Sequence, residues 1–426
     1  MSPVEDHRLR YGLANELHTR PFPTIGKPAV AAYLAIKQQH NAASRDRDAD
    51  RAHLIDLLDR FATAHPPPGA THFFGQLGKH RLKWESHTEF VTYTIFRDGT
   101  EGRPFDASVF DVFPQDWLAQ APGKRMTSAL IYIGFGEEEK VIEGKLNDWF
   151  VPESLAVSKV LDDSALVAGD FRIDPAGHVR FAVFAQKDTG SRRTGRIVQR
   201  LCEIETYKMM SMLGFHRARL LNRELGPLDE RLTRLVGAMT GPTTRAGATL
   251  TELQGIAAEL ENIGAQSSFR FGATGAYEAI VNQRVEVLRE GRFQGRQTFG
   301  EFMMRRFDPA MRTVKSAERQ LSAMADRAIR AGELLRTQVD VVRSAQNQRV
   351  LESMDRRADL QLRLQRTVEG LSVVAVSYYA VNLVAYLIYP VTSRPEISKG
   401  LNLAGLTPVV VLVVWAMMRR IRARMH

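Results

Sequence analysis

Apolar residues recur along this chain with two different periods, and the change from one to the other falls near residue 190. Before it, short β-rich runs alternate with glycine and proline punctuation, which predicts an α+β (or α/β) domain over residues 1–190. Ala29 to Gln39 and Arg45 to Ala64 have helical spacing, the second through Leu54, Leu57, Leu58 and Phe61, and His65-Pro66-Pro67-Pro68-Gly69 ends it. Arg81 to Phe96 alternates instead. Arg81, Lys83, Glu85, His87 and Glu89 share one face and Leu82, Trp84 and Phe90 the other, which predicts a half-buried strand. Thr127 to Phe135 predicts another strand. Ala165 to Ile173 and Val179 to Phe184 predict a hairpin across Asp174-Pro175-Ala176-Gly177, where proline presets a turn and glycine takes a positive φ.

From residue 191 to 366 the chain is helix-compatible almost throughout, with breaks expected near Gly241-Pro242 and in Gly264 to Gly275. A seven-residue repeat runs through Val314, Leu321, Ala328, Leu335 and Val342 in one position and Ala317, Met324, Ala331, Gln338 and Ala345 in the other. This predicts a stalk helix packed on neighbours. No proline lies between Ala310 and Tyr389, so a helix from Met311 to Pro390 is unbroken and covers about 120 Å.

Two uncharged apolar runs close the chain, Leu371 to Pro390 and Leu401 to Met418, each about the length a bilayer core demands. They predict a membrane-spanning helical hairpin: spans at 367–390 and 401–418, an outer loop at 391–400 carrying Thr392 and Glu396, and a basic tail at 419–426. Arg356, Arg357, Arg363 and Arg366 precede the first span, and Arg419, Arg420, Arg422 and Arg424 follow the second. Basic residues at membrane ends stay on the cytoplasmic side, so both termini are expected there. The start, Met1-Ser2-Pro3-Val4-Glu5-Asp6, has no apolar h-region to carry the large domain across.

Within the first span Ser372, Ala375, Tyr379, Asn382, Tyr386 and Tyr389 recur at steps of three and four and fall within an arc of about 100°. Lipid is expected to meet the remaining face of valines and leucines. An amide near mid-membrane requires another helix or water, so the stripe is either a packing interface or the lining of a pore.

Charge and composition narrow the chemistry. The formal charge is +10, but many arginines flank the apolar runs, and headgroup attraction accounts for them without nucleic acid as a partner. One cysteine, Cys202, excludes an intrachain disulfide and a cysteine-based zinc site. Gly75-Gln76-Leu77-Gly78-Lys79 lacks the spacing and the hydroxyl of a phosphate loop. His65, His72, His80 and His87 are close in sequence without metal-site spacing, so no metal ligand is assigned and no cofactor is implied. Glu16, His18 and Arg20 gather a carboxylate, an imidazole and a guanidinium near the N-terminus. They form the one candidate cytoplasmic site, beside the alternative that they and the nearby prolines fix the path of the segment.

The layout is similar to that of CorA-type divalent-cation transporters: cytoplasmic α/β domain, helical domain, long stalk entering the first span, short outer loop, second span, basic tail. That resemblance implies a homopentamer whose first spans line a path for a divalent cation. The family's Tyr-Gly-Met-Asn signature aligns either with Tyr389-Pro390-Val391-Thr392, followed by Pro395-Glu396, or with Tyr379-Ala380-Val381-Asn382, and Gly-Met-Asn is replaced in both. Over nearly its whole length the chain resembles a bacterial family of membrane-anchored proteins with no assigned activity, through Asn15-Glu16-Leu17-His18-Thr19-Arg20-Pro21-Phe22, Trp84-Glu85-Ser86-His87-Thr88-Glu89-Phe90 and the run Val368 to Tyr379. Together these imply a self-associating protein of the bacterial inner membrane, not an enzyme. It is expected to be a cation channel or transporter, or else an anchored scaffold.

Overall fold

The structure is a computed structural model and describes residues 4–16, 22–100, 102–239, 246–392 and 399–425. Helix α1 (Arg10–Glu16) precedes strand β1 (Ala29–Lys37), helix α2 (Arg47–Arg60), strands β2 (His72–Leu77), β3 (His80–Ser86) and β4 (Phe90–Asp98), and helix α3 (Gln115–Ala119). Strand β5 (Lys124–Phe135), helix α4 (Glu139–Trp149) and strands β6 (Ala156–Val160), β7 (Ala165–Ile173) and β8 (Val179–Ala185) follow. Helices α5 (Ser191–Ala238) and α6 (Ala246–Glu286), the short strand β9 (Gly291–Arg292) and helices α7 (Phe299–Arg306), α8 (Asp308–Thr392) and α9 (Lys399–Met425) complete the order. The strands form one sheet in the order β2-β3-β4-β1-β5-β8-β7-β6-β9, antiparallel except where β5 meets β8. The fold is thus a mixed α+β sheet followed by a long helical region.

Alternation along the strands decides what each face buries. Val30, Leu34 and Ile36 of β1, Leu82 and Trp84 of β3 and Tyr93 and Ile95 of β4 pack against Leu54, Leu57 and Leu58 of α2 and Trp117 of α3. A second cluster joins Tyr132, Ala168, Ala182 and Phe184 of the sheet to Ile142 and Leu146 of α4.

Ala29 to Gln39, expected to be helical, is instead the central strand β1, buried along its whole length. A run apolar at nearly every position fits a helical template as readily as a strand, and burial on both faces is what a central strand requires. Arg81 to Phe96 is two strands, β3 and β4, joined at His87–Glu89. Its charged face is covered rather than solvated, since Lys83, Glu85 and Glu89 are all buried. The turn expected after Ile173 does form: Asp174 N–H donates to the His178 carbonyl and Gly177 has φ +90°. Residues ahead of β1 cross the start of α5, where Ile25 N–H donates to the Ser191 carbonyl. A Cβ at Gly195 would lie 1.6 Å from the Pro23 carbonyl oxygen, so only glycine permits this crossing.

The chain divides into two compact units, Met1–Gly241 with Thr251–Ala331, and Pro242–Leu250 with Gly332–His426. In the first, α6 runs unbroken through Gly264, Gly272 and Gly275, where a break is expected from sequence. Its buried line, from Leu253 and Ile256 to Tyr277 and Val281 at steps of three and four, offsets the cost of about 1 kcal/mol that each glycine brings. Gly241-Pro242 lies outside the described residues. The heptad positions of α8 from Val314 to Leu335 are buried, and the packed line ends there because Val342 is exposed. Lys315 pairs with Glu278 of α6 at 2.8 Å and Arg327 with Asp229 of α5 at 3.3 Å.

Helix α8 continues for 85 residues, a contour of about 130 Å. Among the described residues one helical stretch, Phe299–Ile388, is long and apolar enough to cross a membrane. The second apolar run lies in α9.

Three histidines of the first unit make its stability depend on pH. His53 is wedged between the Tyr93 hydroxyl and the Trp117 carbonyl, each 3.0 Å away, so its Nε2 carries the proton and its Nδ1 accepts. Burial pushes the pKa of His53, His80 and His178 below the ordinary histidine value. Below about pH 6.5 the unfolded chain therefore binds protons that the folded chain refuses, and stability falls as pH falls. Thermal midpoints of the purified protein are expected to drop between pH 7.5 and 5.5. A flat or rising profile would contradict this.

Candidate functional site: a polar seam beneath the sheet

The seam begins with the alternation of β3, which turns Lys83 and Glu85 toward α5 while Leu82 and Trp84 enter the apolar core. Strand β1 adds Tyr33, and β5 adds Thr127. Lys83 Nζ lies 3.0 Å from Glu85 and donates to Gln199 of α5 at 2.6 Å. Tyr33 and Thr206 share a hydrogen bond of 2.5 Å, while Glu205 accepts from Thr127 at 3.1 Å and from Lys208 at 2.7 Å. Buried charges persist only when paired and hydrogen-bonded, and here each has a partner across the seam or beside it.

The β3–β4 turn is the most heavily bonded part. Arg45, whose side chain is 1% exposed, pairs with Asp50 at 2.6 Å and donates to the carbonyls of His87, Thr88 and Phe90 and to the Ser86 hydroxyl. Held this way, the turn points Glu89 at α6. There its carboxylate accepts from Arg270 at 2.6 Å and from the Tyr277 hydroxyl at 2.9 Å, with Lys37 of β1 at 3.8 Å. His87 stacks on Phe90 with ring centroids 4.4 Å apart.

Burial lowers the pKa of Lys37, an effect partly offset by Glu89, and raises that of Tyr277, to which Glu89 adds. Burial also pushes the Cys202 thiol well above its ordinary range, so it stays protonated and unreactive. Tyr33, Lys83, Glu85, Cys202 and Thr206 line a cavity of about 20 Å³, room for a single water. Among the described residues no group of three or more histidine, cysteine or acidic side chains is placed to hold a metal ion. What this arrangement does chemically is lock two helices to a sheet.

The stretch Trp84 to Phe90 is therefore a structural unit rather than a surface motif: Trp84 fills the core, Glu85 and Glu89 neutralise buried cations, and Ser86, His87 and Phe90 meet Arg45. A family model described as "Protein of unknown function (DUF3422)" matches residues 5–425. The chain belongs to this family. Among curated proteins and solved structures nothing matches, and the CorA-type layout finds no support there.

Other residues expected to act are placed as follows. Glu16 ends α1, while His18 and Arg20 lie outside the described residues, as does Glu396. Ser372 Oγ donates to the Val368 carbonyl and Asn382 Nδ2 to that of Tyr378, both within α8, while Tyr379 and Tyr386 are 70% and 81% exposed. Tyr389 and Thr392 belong to the last turns of α8. Among the described residues from 371 to 388, Ser377 and Val381 are buried, on the side of the helix away from the stripe. Lys37, Arg45, Arg270 and Tyr277 were not expected from sequence. The available signal was the row of charges on one face of β3, which becomes a site once a helix covers it.

Proposed function

We propose that the chain is an integral protein of a bacterial inner membrane, holding its sheet unit on the cytoplasmic side as an anchored scaffold rather than an enzyme. The observation that carries this reading is the continuity of α8: one helix starts among the buried residues Met311, Val314 and Ala317 and ends in an apolar window long enough to cross a bilayer. In this reading residues 367–390 and 401–418 form a helical hairpin, with Ser377 and Val381 of α8 and Val414 of α9, all buried, along its contact. The arginines at both ends keep the termini cytoplasmic. The single-water cavity of the polar seam supports a holding role over a catalytic one.

The full-length protein is expected to stay in the membrane pellet on alkaline extraction. Thr392→Cys is expected to react with an impermeant maleimide from outside the cell, and His426→Cys only after permeabilisation. Buried Cys202 leaves the background silent. Release into the alkaline supernatant, or an unreactive Thr392→Cys, overturns the reading.

Cation conduction by a CorA-like oligomer, a pentamer in that arrangement, is the second reading. One observation favours it: Tyr379 and Tyr386 are exposed on the side of α8 away from Ser377 and Val381, with half-buried Asn382 between them, so these three could line a path for a divalent cation. Absence of flux from reconstituted liposomes under divalent gradients would exclude it.

A further inference from the structure

We propose that α8 pairs in parallel with α8 of a second copy of this chain, along one line of side chains running from Val350 into the apolar window. The proposal rests on the membrane reading for the part of that line beyond Leu371. Val350, Met354, Leu364, Val368, Leu371 and Ala375 lie on a single track of alternating four- and three-residue steps, with Arg357 and Gln361 as its two polar positions. After one further step of four the track continues through Tyr379, Asn382 and Tyr386. Alternating steps of three and four are the spacing of a coiled-coil seam, and the extra four residues are a local phase shift of the kind such seams absorb.

Every apolar member from Val350 to Leu371 is more than half exposed. The same helix is packed as far as Leu335, tied to α5 and α6 by Arg327 and Lys315, and from Val350 a second apolar line, on a different side of the helix from the packed one, lies uncovered. A track about 54 Å long from Val350 to Tyr386 fits a helix and little else.

Two features identify that helix as a second copy. Asn382 lies within the apolar window and donates one amide hydrogen to its own helix. Its second donor and its carbonyl need partners that hydrocarbon cannot supply. A copy anchored in the same membrane with the same orientation brings its own Asn382 to the same depth, so each amide completes the other. The track from the aqueous stalk into the span is matched position for position by the same register, whereas a different partner would have to reproduce both spacing and depth.

The test uses the full-length protein in native membranes on a Cys202→Ser background, with one cysteine introduced at a time and mild oxidation. Leu364→Cys and Val368→Cys are expected to give disulfide-linked dimers, and Leu362→Cys and Arg366→Cys, on the opposite side of the helix, are not. In detergent, Asn382→Leu is expected to weaken self-association by about 3- to 30-fold. Asn382→Gln is expected to restore most of it, and Arg357→Leu to strengthen it by removing like charges from the seam. Cross-links at all four positions alike, or at none, overturn the proposal. Positions 362 to 368 precede the apolar window, so these cross-links report on the seam even if alkaline extraction shows the protein to be peripheral, and the two readings fail separately.

Discussion

Replacing Arg45 by methionine is expected to cost about 3–5 kcal/mol of stability, the loss that follows when one partner of a buried ion pair is removed. Both side chains of the Arg45–Asp50 pair are almost wholly buried, and desolvation already raises the Asp50 pKa with the guanidinium in place. Without Arg45 that carboxylate is left in apolar surroundings, and the carbonyls of His87 and Thr88 lose the guanidinium as donor, while that of Phe90 keeps the His87 N–H. Lysine cannot rescue the site. A guanidinium serves several acceptors in one plane, whereas an ammonium offers a compact point charge, so Arg45→Lys is expected to recover less than half of the loss. Denaturant unfolding of the purified protein measures both variants. A cost below about 1 kcal/mol for Arg45→Met would mean that the turn is held by its own strand pairing instead.

Strands β5, β7 and β8 and the 174–177 turn are legible because β-rich runs bounded by glycine and a Pro-x-Gly turn are local signals. The long helix was equally legible, since eighty residues without proline and a heptad repeat leave little choice. Strand β1 was not, because Ala29 to Lys37 is apolar at nearly every position and period cannot separate a central strand from a helix. The face of β3 is hidden from local sequence for a different reason. Lys83 and Glu85 look like solvent-facing residues in any window of local sequence, and only the arrival of α5, more than a hundred residues later, makes them buried partners. Arg270 had no local signal at all, since its partner Glu89 lies 181 residues away. Glu16, His18 and Arg20 are conspicuous as a dense mixture of charge types, and His18 and Arg20 lie outside the described residues.

Glu89→Gln carries the second large effect. The carboxylate is 1% exposed and faces two cations, Arg270 and Lys37, so removing its charge leaves like charges facing each other across a space that water barely enters. Arg270 is partly exposed and is screened to that extent, which places the expected loss at about 2–4 kcal/mol rather than at the full value for a sealed pair. Tyr277 still has an amide oxygen to donate to, so its hydrogen bond survives and the change isolates the charge. The pKa of Lys37, already lowered by burial, moves further down once Glu89 no longer opposes that shift. Because Arg45 holds the turn that presents Glu89, the two sites are not independent. The double variant Arg45→Met, Glu89→Gln is expected to lose less than the sum of the singles by about 0.5–3 kcal/mol, the coupling found between groups of one network. Strict additivity in that cycle would show that Glu89 reaches α6 without help from Arg45. A clear shortfall would identify the turn as the element that fastens α6 to the sheet.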